Sequence, residues 1–274
     1  MLKLSGARDT KVWLNLKSRE QYRKNTYRRL AEVWKKLDVS KPHLLLNGNP
    51  WIKTRLQSEQ SIWEIVEIKS VTTFEYGIRL EAFKILHKVS GLETTVVAVN
   101  SLQNRWGEGA AFLAEAFLNL GVKSITTSGF VGGPGIGKPN DASIPSRFFL
   151  RDKQINIDNF ISAKSTEGEV KHQTTVHFNT THAHSFSPVE QTKKYVSDYI
   201  EKGYETVDVE QVLVAERVLD HNLKSDQHVS FGSIALITDV PRSLQSDIDS
   251  VEGLDHVDYK QQIGRASCRE RVSS

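Results

Sequence analysis

The chain has 274 residues, 38% hydrophobic and 25% charged, with a formal net charge of +3, the balance of an ordinary soluble globular protein. No apolar run approaches the ~20 residues of a membrane helix, and the N-terminal MLKLSGARDTKVW lacks the apolar core of a secretory signal. A cytoplasmic protein with no membrane partner is therefore expected, in which the sequon Asn179-Thr180-Thr181 is a chance match.

Charge is concentrated at the start of the chain. Residues 1–42 hold 12 Lys or Arg against 4 Asp or Glu, a net of +8, which leaves −5 for the remainder. Such an arm suits contact with nucleic acid or an acidic protein, but a solvated helix face is the commoner case and is preferred. Within it, Leu30, Val33, Trp34 and Leu37 recur at i, i+3, i+4 and i+7, which predicts a helix over 18–38, ended by Pro42. HLLLNG (43–48) reads as a short buried strand closed by a turn at Asn47-Gly48. Residues 62–76 read as one long or two short strands, 78–89 are ambiguous, and TTVVAV (94–99) is a buried strand. Gly107 to Leu120 reads as a helix with Gly121 as its C-cap, followed by the strand SITTS (124–128). Further strands are expected at 174–179 and 231–238, and helices at 188–202 and about 208–220. Strands alternating with helices predict an α/β domain with a mixed, largely parallel central sheet flanked by helices. Ligands in such sheets bind beyond the strands' carboxyl ends, here just after TTVVAV, SITTS and FGSIALIT.

The C-terminal segment Ile263–Val272, IGRASCRERV, reads as a translated sequencing adapter. Residues 263–274 are set aside on that ground, and the native chain is expected to continue past Gln262. The single cysteine, Cys268, falls there, so disulfides, thiolate catalysis and cysteine-bound metals are not expected. The expected organisation is a basic helical extension over 1–42 and one α/β domain over 43–262.

Gly132 to Pro139, GGPGIGKP, has the G-x-x-x-x-G-K spacing of a phosphate-gripping loop, but Pro139 stands where Ser or Thr should bind Mg²⁺. NDASIPSRFF, which follows, does not read as a helix, so the loop is not expected to grip a nucleoside triphosphate. Four of the nine histidines, His172, His177, His182 and His184, lie in KHQTTVHFNTTHAH. His182 and His184 have strand spacing for a shared metal. No Cys or H-E-x-x-H pattern joins them, so a polar loop beside the pocket is preferred and no metal is expected.

Three segments, taken in order, resemble the nucleoside phosphorylase and nucleosidase family. They are GVKSITTSGFVGG (121–133), GYETVDVEQVLVAE (203–216) and SIALITDVP (233–241). The family pattern is a strand ending in Gly-x-Ala-Gly-Gly, an Asp-Met-Glu at a helix start, and a strand ending in Ser-Asp. This chain has Gly129-Phe130-Val131-Gly132-Gly133, Asp208-Val209-Glu210 and Thr238-Asp239, while NGNPWIKTRL (47–56) resembles the family's first Gly-Asp-Pro turn. The resemblance spans about residues 43–241. It implies cleavage of the N-glycosidic bond of a purine-type nucleoside or nucleotide. That chemistry needs a carboxylate on the sugar hydroxyls and an acid at the departing base. Glu210 is the implied ribose ligand, expected to stay ionised beside free helix N–H groups. Asp239, with a raised pKa, is the implied proton donor to purine N7. Phe186 is the implied base-stacking ring with Phe178 as alternative, Val209 lies under the sugar, and the glycines wall the pocket. The plainer reading makes Asp208 and Glu210 helix-start charges and Asp239 a turn former.

Several positions depart from the pattern. Ile52, Thr127 and Phe130 stand where the phosphorylases carry two Arg and a Ser or Thr, with Lys53 and Arg55 out of register. Asn49 replaces an Asp and Val209 a Met. A phosphate dianion without its Arg clamps binds poorly, so hydrolysis is expected over phosphorolysis. No resident cofactor is implied, and inorganic phosphate stays open as a co-substrate. Glu59 and Glu108 are candidates for the water-activating base by position only. A nucleoside- or nucleotide-sensing module without turnover explains the same losses. Pockets shared between subunits are common in the family, so a homo-oligomer is an open reading.

Overall fold

The computed structural model describes residues 16–46, 51–58, 61–73, 78–100, 107–161, 175–185 and 193–239. In chain order these form α1 (Leu16–Leu37), β1 (His43–Leu46), α2 (Trp51–Leu56), β2 (Trp63–Thr73), β3 (Ile78–His87), β4 (Glu93–Asn100), α3 (Glu108–Leu118) and β5 (Ser124–Gly132). Then come β6 (Ala142–Leu150), β7 (Lys153–Ile155), β8 (Val176–His184), α4 (Lys193–Glu201), β9 (Thr206–Asp208), α5 (Gln211–Lys224) and β10 (Ser230–Asp239).

One mixed sheet runs in the order β10-β6-β8-β9-β5-β1-β4-β3-β2, with β7 on β6. β10 also pairs with β5, so β5, β10, β6, β8 and β9 close into a ring. β4, β1, β5 and β10 are mutually parallel, which brings their carboxyl ends to one edge. β2 and β3 extend the sheet antiparallel from β4. Residues 62–76 thus contain one long strand, and the ambiguous run after Ile78 is a strand as well.

α1 buries Leu30, Val33, Trp34 and Leu37, the face its spacing predicts. That face joins the main core with Leu113 and Phe117 of α3 and Val212, Val214 and Val218 of α5. Trp34 and Phe117 meet at 5.4 Å between ring centroids. On the outer side Arg23 pairs with Glu115 at 2.9 Å and lies over the Phe112 ring. The compositional break at residue 42 therefore does not coincide with a break in packing among the described residues. α3 ends at Leu118 with Asn119, not Gly121, as its C-cap; Gly121 follows two residues later at φ +83°, a left-handed conformation that glycine adopts without strain.

Three strands, β6, the short β7 and β9, were not legible in the sequence. β6 contains Pro145, whose missing N–H is accommodated where the β6–β8 register shifts on either side of it. β9 has only three residues, Thr206, Val207 and Asp208, all buried.

Candidate active site

The three family-like segments converge on one residue. Gly132 at the end of β5 is in register with Val207 of β9 on one side and with Asp239 of β10 on the other. Neighbouring strands lie ~4.8 Å apart, so the two flanking backbones are about 10 Å apart. Val207 leads directly into Asp208-Val209-Glu210 and the start of α5. The glycine-rich run is not a turn: Gly129 to Gly132 continue β5, four residues beyond SITTS. Of Asp239 only the backbone position is described. The turn at Asn47-Gly48-Asn49, Glu59, Phe186, His172, and the side chains of Ile52 and Arg55 lie outside the described residues. Phe178, the alternative stacking ring, is half-buried in β8.

The Asp208–Glu210 corner has a definite local logic. Buried Asp208 turns its carboxylate onto the first turn of α5. Its Oδ1 accepts the N–H groups of Glu210 and Gln211, each at 3.1 Å, and its Oδ2 lies 3.3 Å from the Gln211 N–H. Asp208 therefore takes the helix-start N–H groups that Glu210 was expected to use. This corrects the expectation that Glu210 stays ionised. Burial, then the charge of Asp208, pushes the Glu210 carboxyl up to about 9, against the pull of the Val209 backbone hydrogen bond. Glu210 sits at the N-cap of α5 as expected, but in a form that holds its proton at neutral pH.

Behind this corner stands β8. Its ladder with β9 pairs His182 with Thr206, Ala183 with Val207 and His184 with Asp208. His182 is 1% exposed. Its Nδ1 is hydrogen-bonded to Thr206 Oγ1 at 2.9 Å, and its Nε2 lies 3.0 Å from Asp208 Oδ1 without forming a hydrogen bond. His184 is also buried, and burial lowers its pKa, with the Asp208 charge opposing. The histidine-rich run was expected as a polar loop. From Val176 to His184 it is a strand, and its last five residues are buried. Among the described residues no three metal-ligating side chains converge. The proximity of His182 to Asp208 was not legible because nothing in the local sequence ties the two, 26 positions apart.

The loop after β5 is set by packing. A Cβ on Gly133 would meet Ile136 O at 2.5 Å and Ile237 Cγ2 at 3.0 Å, and one on Gly137 would meet Ile237 Cδ1 at 2.5 Å. The Lys138 N–H, one of the donors a phosphate loop would offer, binds Asp141 Oδ2 at 3.1 Å. Asp141 also accepts the Thr175 N–H at 3.2 Å and contacts His177 Nε2 at 2.9 Å. Burial raises its pKa, but these partners outweigh that and hold it below its ordinary value. At the positions where phosphorylases grip phosphate, Thr127 is buried, with its hydroxyl 3.4 Å from Gly232 O, and Phe130 is 65% exposed. Glu108 is exposed in the first turn of α3. Two open concavities lie elsewhere, one along β2 and one between α5 and β7, and neither includes Asp208, Glu210 or Asp239 among its lining residues.

No protein-family model and no curated protein matches the sequence. Solved structures do match the fold. A mutant futalosine hydrolase of Helicobacter pylori strain 26695 superposes with a TM-score of 0.51 at 15% identity, over 77% of this chain and 93% of that one. A putative 5'-methylthioadenosine/S-adenosylhomocysteine nucleosidase from Borrelia burgdorferi B31, bound to adenine, gives 0.52 at 15% identity over 76% and 91%. Isoform 2 of purine nucleoside phosphorylase from Schistosoma mansoni, in complex with cytosine and ribose-1-phosphate, gives 0.52 at 14% identity over 82% and 86%. The fold is that of the nucleoside phosphorylases and nucleosidases. Within this nucleoside phosphorylase-like fold, the convergence at Gly132 occupies the carboxyl edge of the parallel strands, where α/β sheets hold ligands.

Proposed function

We propose that this protein cleaves the N-glycosidic bond of a purine-type nucleoside or nucleotide, with water as the acceptor. The observation that carries this reading is the junction at Gly132, which sets the Asp208-Val209-Glu210 corner and the Asp239 strand end on either side of one glycine. Bond breaking leaves positive charge on the sugar and negative charge on the base, so it needs a carboxylate at one end and an acid at the other. Glu210 serves the ribose hydroxyls. Hydroxyl donors favour the ionised carboxylate, so sugar binding releases the proton that Glu210 holds in the free protein. Asp239 protonates the departing base, and Phe186 or Phe178 stacks on it. Water is favoured over phosphate because Thr127 and Phe130 offer no cation at the anion positions.

A second reading, a nucleoside- or nucleotide-sensing module without turnover, is favoured by one feature: Glu108, the described candidate for a water base, is exposed at the head of α3. One experiment separates the two. The protein is incubated with purine nucleosides, nucleotides and thionucleosides, with and without phosphate, and free base is measured by chromatography. Free base without phosphate, lost in Asp239→Asn and Glu210→Gln, is the expected result. Base released only with phosphate would overturn the hydrolytic assignment, and binding without any release would leave the sensing module.

A further inference from the structure

The end of the sheet away from the Gly132 junction has a chemistry of its own. β2 is the last strand in the order, separated from β5 by β1, β4 and β3. Its inner side is paired with β3 from Trp63 to Thr73. Its outer side is an edge, and the register fixes which residues face outward. Lys88 donates its N–H to Ile62 O, and the His87 N–H turns away to Leu92 O. Bonded and non-bonded pairs alternate in an antiparallel ladder, so Glu64 bonds to β3 and Ile65 does not. The bulge at Val66 resets the count: Glu67 and Lys69 bond inward, while Ile68, Ser70 and Thr72 aim their N–H and C=O groups outward. Among the described residues, no strand pairs with this outward row. Beside it, on the α2 side, runs a groove of about 760 Å³ lined by Leu56, Trp63, Ile65 and Ile68. Val66 and Ile68 are exposed. A long, partly apolar edge of this kind is a template for another strand.

We propose that this edge pairs with the same edge of a second copy, antiparallel about Ile68, so that two chains share one continuous sheet. The charges select this partner and this register. With the two-fold axis at Ile68, Glu67 of each copy faces Lys69 of the other, which gives two opposite-charge cross-strand pairs. Glu67 is exposed and Lys69 half-buried, and within one chain they lie 3.7 Å apart. Moving the axis by one residue sets Glu67 against Glu67 or Lys69 against Lys69, and a parallel in-register pairing does both. Beyond the bulge, Ile65 meets Ser70 of the other copy, so outward-bonding residues stay opposite one another along the ladder. On the groove side the two Ile68 side chains come together at the axis, and the groove of one copy continues into that of the other. The pairing uses nothing from the Asp208–Glu210 corner, and it stands whether or not a nucleoside is cleaved.

The test is the oligomeric state of the full chain, measured by sedimentation over a concentration series. A monomer–dimer equilibrium is expected for the parent protein. Glu67→Lys sets lysine against lysine in both cross-strand pairs, and Lys69→Glu sets glutamate against glutamate. Each is expected to weaken the dimer about tenfold or more. Mixing the two variants is expected to restore dimers, because each then meets the opposite charge. The double variant, Glu67→Lys with Lys69→Glu, is expected to dimerise like the parent. Circular dichroism and the thermal midpoint certify that each variant is folded. Should Lys69→Glu not fold, Ser70→Pro carries the test, since it deletes an outward N–H and leaves the bonds to β3 in place. A parent that is monomeric at every concentration overturns the proposal. Hydrogen exchange at Ile68 and Ser70 then tells an edge covered by another segment of the chain from one open to a different partner. Dimers that the single variants do not weaken, or that mixing does not restore, overturn it as well, because the contact then lies elsewhere.

Discussion

A proton held by Glu210 makes stability depend on pH in a specified direction. The carboxyl titrates near its ordinary 4.5 in the unfolded chain and at about 9 in the folded one. Between those values the native state binds a proton that the unfolded state has released, so stability falls as pH rises. Glu210→Gln removes the titration. Its stability relative to the parent is expected to rise by about 1 kcal/mol per pH unit across that window, and to level off above it. Urea denaturation at pH 5, 7 and 9 checks this; parallel pH profiles for the two proteins would contradict the buried, protonated state. The glycines supply a second residue-scale prediction. Gly133→Ala puts a methyl against a backbone oxygen at 2.5 Å, whereas the nearest atom to a Cβ at Gly129 is Gln211 Nε2, at 3.5 Å. Gly133→Ala should cost about 1–3 kcal/mol and lower the thermal midpoint, and Gly129→Ala should move it far less.

Among the elements, α1 was the most readable and β6 the least. The α1 periodicity is carried by four large apolar residues, and all four are buried. Because its apolar face is part of the main core, Leu30→Ala is expected to cost about 2–5 kcal/mol. A loss under 1 kcal/mol in denaturant titration would mean that α1 is not held by that face. What the sequence concealed has physical causes. β6 carries Pro145, which normally argues against a strand, and only the bulged register beside β8 reveals how it is tolerated. β9 is too short for any period to register. The motif set was legible because each piece ends an element, at Gly132, at Asp208 and at Asp239. The charge state of Glu210 was not, because it depends on which neighbouring carboxylate wins the helix N–H groups, and that competition is settled in space.

For the whole molecule, the closed ring decides the order in which structure can be completed. β5 ends at residue 132, β6 begins at 142, and the strand that pairs with both, β10, begins only at residue 230. During synthesis on a ribosome, roughly a hundred residues must emerge before the seat between β5 and β6 is filled. At about 5–20 residues per second that is a delay of several seconds at least, with two strand edges unpaired along the side β10 will occupy. Loop closure over so long a span also makes the final step slow relative to local helix formation. The same strand that carries Asp239 to its place beside Gly132 is thus the last to arrive. A nascent chain of this protein therefore cannot close the ring, or bring the end of β10 beside Gly132, until almost all of the ring has left the exit tunnel.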